Sequence, residues 1–243
     1  ETGSQLPDYA ERLAERFWPG PLTLVLPKAA QVSEALTGGQ GSIAIRVPAH
    51  PVFREVLTNL KQVGTHHGLP PGIAAPSANR FGRVSPTTAQ HVLADIGDVL
   101  NEHDVILDGG PCSIGVESTI VDCTGKQPVI LRTGHISAEQ ITATTGLPLA
   151  THSSVRAPGT LAAHYAPAAR VLLTSDTDLQ AATNTRTTPT EGFLALATIT
   201  TPPGMVRLAA PANIDEYARM LYAALREADA LNLTTVWAIP PNG

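Results

Sequence analysis

Aromatic side chains are scarce: Phe, Tyr and Trp together make up 4% of the 243 residues. A core built from this chain must rest on Leu, Val, Ile and Ala, and there is little material for stacking bases. Charged residues are also few, at 15%, against 43% hydrophobic. That balance supplies a sizeable core and excludes wholesale disorder. No apolar run approaches the roughly 18 residues that cross a bilayer as a helix, so no helical membrane span is expected. The opening ETGSQLPDYAERL has neither a basic n-region nor an apolar h-region, so no secretory signal is visible. A basic excess is missing too. The net charge is −5, which disfavours a protein whose main work is gripping nucleic-acid backbone. The two cysteines, Cys112 and Cys123, match no zinc or redox spacing and read as reduced core thiols in a cytoplasmic setting. There is no G-x-G-x-x-G to support a dinucleotide role. No Ser-His-Asp or Cys-His constellation offers a protein nucleophile.

What the chain does have is concentrated between Gly72 and Thr87, GIAAPSANRFGRVSPT. Ile73-Ala74-Ala75 reads as a short buried strand, and Pro76 ends it because it lacks a ladder N–H. Ser77, Asn79, Arg80, Arg83, Ser85 and Thr87 then crowd into one loop broken by Gly82 and Pro86. Hydroxyls, an amide and guanidiniums together can surround a phosphorylated ligand. The plainer alternative is a polar surface turn.

Elsewhere strands and helices alternate. Helices are expected at Pro7–Trp18, Pro51–Leu60, Thr88–Leu100, Ser137–Thr144 (with Ser137 as N-cap) and Asn213–Asn232, the last with Tyr217, Leu221, Leu225 and Ala228 inward. A short turn is expected over Val32–Leu36 and a helical start over Asp178–Ala182. Strands are expected at Leu22–Leu26, Ser42–Val47, Val105–Leu107, Thr119–Asp122, Val129–Arg132, Arg170–Thr174, Gly192–Ile199, Val206–Leu208 and Thr234–Ile239. In Ser42–Val47, Ile43 and Ile45 share one face and Ser42, Ala44 and Arg46 the other. Arginines therefore stand at two strand ends, Arg46 and Arg132. Small-ligand sites in open α/β sheets commonly lie beyond strand ends. His66-His67 invites a metal reading, but adjacent histidines on an extended loop point apart and no third ligand is near. The fold class is α/β: a mixed α/β domain over residues 1–150 (a twisted mixed sheet with helices, on the resemblance given below), a linker over 151–167, and a smaller parallel, Rossmann-like α/β unit over 168–243.

Several runs now combine: FWPGPLTLVL, SIAIRVPAHP, APSANRFGRVSPT, GVESTIVD, ILRTG and APGTLAAHYAP, in that order. Together they resemble the threonylcarbamoyl-AMP synthases in their long form, a YrdC-like catalytic domain joined by a linker ending in HYAP to a C-terminal Rossmann-like domain. The resemblance implies that L-threonine, bicarbonate or CO2 and ATP with Mg2+ become threonylcarbamoyl-AMP and pyrophosphate. The product would pass to a separate tRNA threonylcarbamoyl transferase for the t6A modification, without direct tRNA binding by this chain. It further implies that Arg46, Ala75 and Ser118 line the threonine pocket. Ser42, Ser77, Asn79, Ser85, Arg132 and Tyr165 would contact ATP, with Tyr165 closing over the nucleotide from the linker. No metal ligand is expected from the protein, because Mg2+ would arrive with ATP.

The family's N-terminal T-x-T/S-x-Y-G-L run and K-x-R motif do not occur here, and the loop Leu60–Pro71 is longer than usual. The chain is therefore expected to be an internal fragment of the family architecture, or a chain shortened at both ends. Three rival readings follow: an RNA-binding module, a carbamoyl transferase with another acceptor, and an inactive remnant.

Overall fold

A computed structural model describes residues 6–62, 72–157, 166–182 and 190–241. Contacts divide the chain into two compact units, one of residues 1–76 with 117–161, the other of residues 77–116 with 162–243.

The first unit is a four-stranded mixed sheet with helices against it. Its elements are α1 (Asp8–Phe17), β1 (Leu22–Pro27), β2 (Ser42–Ile45), α2 (Pro51–Gln62), β3 (Thr119–Asp122), β4 (Val129–Arg132) and α4 (Ala138–Thr145); α3 lies in the other unit. The strand order is β2-β1-β3-β4. β1 runs antiparallel to β2 and parallel to β3, and β3 antiparallel to β4. Leu22, Leu24 and Leu26 on alternate positions of β1 join Tyr9, Ala10 and Leu13 of α1, Val121 and Ile141 in one core. Leu13, Leu22 and Ile141 are wholly buried, each contributing about 1.5–3 kcal/mol of transfer free energy. α4 opens on a capping box: Ser137 accepts from Gln140 N–H and the Gln140 side chain accepts from Ser137 N–H. It closes on Gly146 in the left-handed region, φ 69°. Arg12 of α1 donates to Thr145 O at 2.6 Å. It thereby satisfies a carbonyl in the last turn of α4.

The second unit holds α3 (Ala89–Ile96), β5 (Arg170–Leu173), α5 (Asp176–Ala182), β6 (Glu191–Leu194), β7 (Val206–Ala209), α6 (Ile214–Ala230) and β8 (Thr235–Ala238). Its sheet is wholly parallel, in the order β5-β8-β6-β7. α6, capped by Asn213, lays Tyr217, Ala224, Leu225 and Ala228 into a core with Leu194, Val236 and Ala238, and Val84 enters the same core. Arg207 is bound by backbone carbonyls. Its guanidinium donates to Ala195 O, Leu196 O, Ile199 O and Ala209 O at 2.6–2.9 Å and lies 4.9 Å from the Phe193 ring centre. Burial lowers its pKa from the ordinary arginine value.

Three strand expectations fail, and one of a core thiol. Ile73-Ala74-Ala75 is irregular and exposed rather than a buried strand. Val105–Leu107 is likewise irregular, with Val105 77% and Leu107 61% exposed. Each is an apolar triplet that finds no ladder partner among the described strands, and three residues alone cannot stand as a strand. The strand expected over Gly192–Ile199 stops at Leu194, where the chain turns to present the carbonyls that Arg207 binds. Of the cysteines, Cys123 is buried as expected and Cys112 is exposed. Burial, with Asp122 beside it, pushes the Cys123 thiol up to about 12, so it stays protonated and inert at neutral pH.

Candidate functional site

The register of the first sheet aligns several predicted residues in a row. β1 and β2 pair Leu24 with Ile45, and Arg46 follows directly after β2, at the end of the pair where Thr23 precedes Leu24. β1 and β3 pair Leu22 with Thr119 and Thr23 with Ile120. Thr23 and Ser118 therefore share the face opposite the leucine core. Their hydroxyls lie 2.9 Å apart. Arg132 completes the row from β4.

Arg132 reaches that face through a bulge. Ile130 packs toward the leucine core, and in a regular strand Arg132, two residues on, would follow it. The pairing instead shifts, with Ile120 opposite Arg132 but Val121 opposite Ile130. The extra residue turns Arg132 to the other side. There its Nε donates to Ser118 O at 3.0 Å and its Nη2 to Ser118 Oγ at 2.9 Å. Nη1 lies 3.3 Å from Glu117 Oε2. The guanidinium is 12% exposed. Arg46 is exposed and makes no hydrogen bond or ion pair with the described residues. The row Arg46–Thr23–Ser118–Arg132 spans three strand spacings, about 14 Å. It carries a guanidinium at each end and two hydroxyls between.

Close packing fixes the Ser118 segment. A Cβ on Gly134 would stand 2.4 Å from Glu117 O and 2.5 Å from Thr119 N, so only glycine lets the Arg132-Thr133-Gly134 turn lie against it. Thr119 Oγ1 donates to Ile136 O at 2.8 Å and accepts from Ile136 N–H at 2.9 Å. Ser42 is buried, 8% exposed, and begins β2 opposite Pro27. It lies on the same strand as Arg46 but about 13 Å away, at the other end. Ala75 is exposed in the irregular stretch.

The remaining predicted residues with described structure belong to the second unit. Asn79 Nδ2 donates to Arg80 O and Arg83 O, each at 3.1 Å, which closes the loop on itself. Asn79 Oδ1 is buried and has no partner among the described residues. Ser77 is exposed and Ser85 buried. Arg80 is committed to Asp98 at 2.6 and 2.8 Å, and Arg83 lies 3.7 Å from Asp95. Thr87 N–H donates to His91 Nδ1 at 3.2 Å, which requires an unprotonated nitrogen there. Burial, and Arg226 nearby, lower the His91 pKa from its ordinary value. Tyr165 and His66-His67 lie outside the described residues. Among the described residues, no three His, Cys, Asp or Glu side chains gather as a metal site.

Sequence reasoning missed Thr23, Glu117, Asp95 and Arg226. Thr23 carried a faint signal as the single polar residue inside LTLVL. Asp95 carried another, being the one acidic residue of α3.

The Sua5–YciO–YrdC family model, described as telomere recombination, matches residues 1–134. A model of the threonylcarbamoyl-AMP synthase C-terminal domain matches residues 136–242. The threonylcarbamoyl-AMP synthase of Pyrococcus abyssi is 42% identical over 177 residues, which is 70% of this chain and 48% of the relative. That of Bacillus subtilis is 42% identical over 171 residues, 67% of this chain and 46% of the relative. The crystal structure of P. abyssi Sua5 complexed with L-threonine superposes with a TM-score of 0.77 at 32% identity, covering 98% of this chain and 70% of that one. The chain thus spans about half the length of the curated relatives it matches.

Proposed function

This chain belongs to the Sua5–YciO–YrdC family, and we propose that it takes part in forming threonylcarbamoyl-AMP from L-threonine, bicarbonate or CO2, and ATP. The observation that carries the reading is the row Arg46–Thr23–Ser118–Arg132 on one face of the sheet. It offers the right chemistry for two anionic groups side by side, an amino-acid carboxylate and a nucleotide phosphate. Arg46 grips the threonine carboxylate, and Ser118, with Ala75, lines the same pocket. Arg132, Ser42, Ser77, Asn79, Ser85 and Tyr165 serve the nucleotide. The L-threonine in the P. abyssi structure supports the choice of amino acid.

The reaction balances without a protein nucleophile. The threonine amine adds to CO2 and loses a proton, giving an N-carbamate. A carbamate oxygen forms a bond to the α-phosphorus of ATP as the bond to the β-phosphate oxygen breaks, and pyrophosphate leaves with that electron pair. The triphosphate would bring Mg2+ with it, which would offset part of its charge, with no ligand from the protein. The chain's own part is to hold the carbamate in line and to stabilise developing charge with fixed guanidinium and hydroxyl dipoles. Ser118 Oγ accepts from Arg132, which frees its single proton to be directed at Thr23 or at the guest. The product carries an activated carbonyl, and a tRNA threonylcarbamoyl transferase consumes it in the t6A modification of tRNA. The proposed setting is cytoplasmic.

The test is incubation of the purified chain with ATP, L-threonine and bicarbonate, followed by mass spectrometry. The proposal expects a threonine-dependent and bicarbonate-dependent species with the mass of threonylcarbamoyl-AMP. Its absence at saturating substrates overturns the activity for this chain.

A further inference from the structure

In the second unit, one arginine of α6 holds the backbone of the loop to which nucleotide contact has been assigned. Arg226 Nη2 donates to Val84 O at 2.6 Å and its Nε donates to Ser85 O at 3.2 Å. The same guanidinium pairs with Asp95 of α3 at 2.5 and 3.4 Å. Its side chain is 12% exposed and that of Asp95 3%. A guanidinium fork bound to two consecutive carbonyls and a buried carboxylate leaves little freedom to any of the three.

Two further contacts tie residues 77–116, the stretch that carries this loop, to α6. The Val84 side chain is 2% exposed and packs among Tyr217, Ala224, Leu225 and Ala228. At the far end of the segment, a Cβ on Gly115 would fall 1.9 Å from Arg219 O, so the backbone there lies directly on the helix. Ahead of Val84 the loop closes on itself, Asn79 Nδ2 donating to Arg83 O. As an element of stability alone, a buried ion pair is a poor investment, since desolvation consumes much of the attraction. Its specific product here is the orientation of the Val84 and Ser85 peptide planes, and through them the side chain of Ser85.

We propose that Arg226, oriented by Asp95, is a positioning residue for the nucleotide loop Ser77–Ser85, so that α6 of the C-terminal unit sets ATP affinity. The assignment rests on the nucleotide role given above to Ser77, Asn79 and Ser85. Among the described residues, the Arg226 guanidinium hydrogen-bonds only the loop backbone and Asp95.

Calorimetry on the full chain, titrating ATP and L-threonine separately, tests it in the wild type, Arg226→Ala and Arg226→Lys. Lysine keeps the charge but cannot reproduce the fork, and it covers the case in which Arg226→Ala fails to fold. The expected result is an ATP affinity lowered at least tenfold in both variants, with L-threonine affinity within twofold of wild type. Hydrogen exchange should rise at the amides of Ser77–Ser85 while the β1–β4 sheet stays protected. ATP affinity unchanged in folded Arg226→Lys, or ATP and threonine affinities falling together, overturns the assignment and leaves the proposed function standing. A wild-type chain that binds no ATP overturns the nucleotide reading itself, and this assignment with it.

Discussion

Arg132 holds Ser118 by two bonds, Nε to the carbonyl at 3.0 Å and Nη2 to the hydroxyl at 2.9 Å. One side chain thus fixes both the backbone and the hydroxyl of its neighbour in the row. An ammonium cannot make both bonds at once. Arg132→Lys is expected to weaken ATP binding about tenfold and to lower stability by about 1.5–3 kcal/mol, the worth of a charged hydrogen bond in a nearly buried setting. Calorimetry and denaturant unfolding read the two effects separately.

Thr23 lies in the middle of the row, its hydroxyl 2.9 Å from that of Ser118. Thr23→Val keeps the shape and removes the hydroxyl. Losing one neutral hydrogen bond of about 0.5–1.5 kcal/mol should weaken L-threonine binding roughly 2- to 12-fold and leave the fold intact. Unaltered threonine affinity in the folded variant would show that Thr23 does not orient Ser118 for the guest.

Gly134→Ala tests the support beneath the row. The added methyl would meet backbone atoms at 2.4–2.6 Å, with no flexible side chain to yield. The expected outcome is a loss of about 1–3 kcal/mol or more, read as a lower midpoint in urea, together with weakened threonine binding as the Ser118 segment shifts.

His91 gives the second unit a pH dependence of defined sign. Its folded pKa lies below the ordinary histidine value, because burial and Arg226 disfavour the charged ring. The unfolded chain then binds a proton that the folded chain does not, so stability falls as pH drops through about 6.5 and below. Protonation also removes the Nδ1 acceptor used by Thr87 N–H. The thermal midpoint should be lower at pH 5.5 than at pH 7.5, and His91→Gln should flatten that difference. An equal slope in both proteins contradicts the role.

Where local pattern and tertiary pairing agree, the fold was legible in the sequence. Thr119–Asp122 and Val129–Arg132 are strands over the expected residues, and Ser137 caps its helix as expected. The parallel second sheet also follows from the alternation of strand and helix. Ile73–Ala75 and Val105–Leu107 were misread because a strand is defined by its partner, and an apolar triplet carries no information about one. Within the row, Arg46 and Arg132 were legible as polar groups at strand ends, and Ser118 through the resemblance alone. The bulge that turns Arg132 onto Ser118's face was not, since nothing in VILR marks an extra residue. Arg226 was invisible for a similar reason: an arginine within an amphipathic helix reads as solvated surface until Asp95 and the Val84 and Ser85 carbonyls are seen around it. Order along the chain also gave no hint that residues 77–116 pack with 162–243.

Titrating L-threonine into the wild-type chain and into Arg46→Ala tests most directly whether the row is an amino-acid site. The account predicts measurable threonine binding by the wild type and a loss of at least tenfold, about 1.4 kcal/mol, in Arg46→Ala, with ATP affinity unchanged. Equal threonine affinity in the two proteins, or no threonine binding by the wild type, would contradict it.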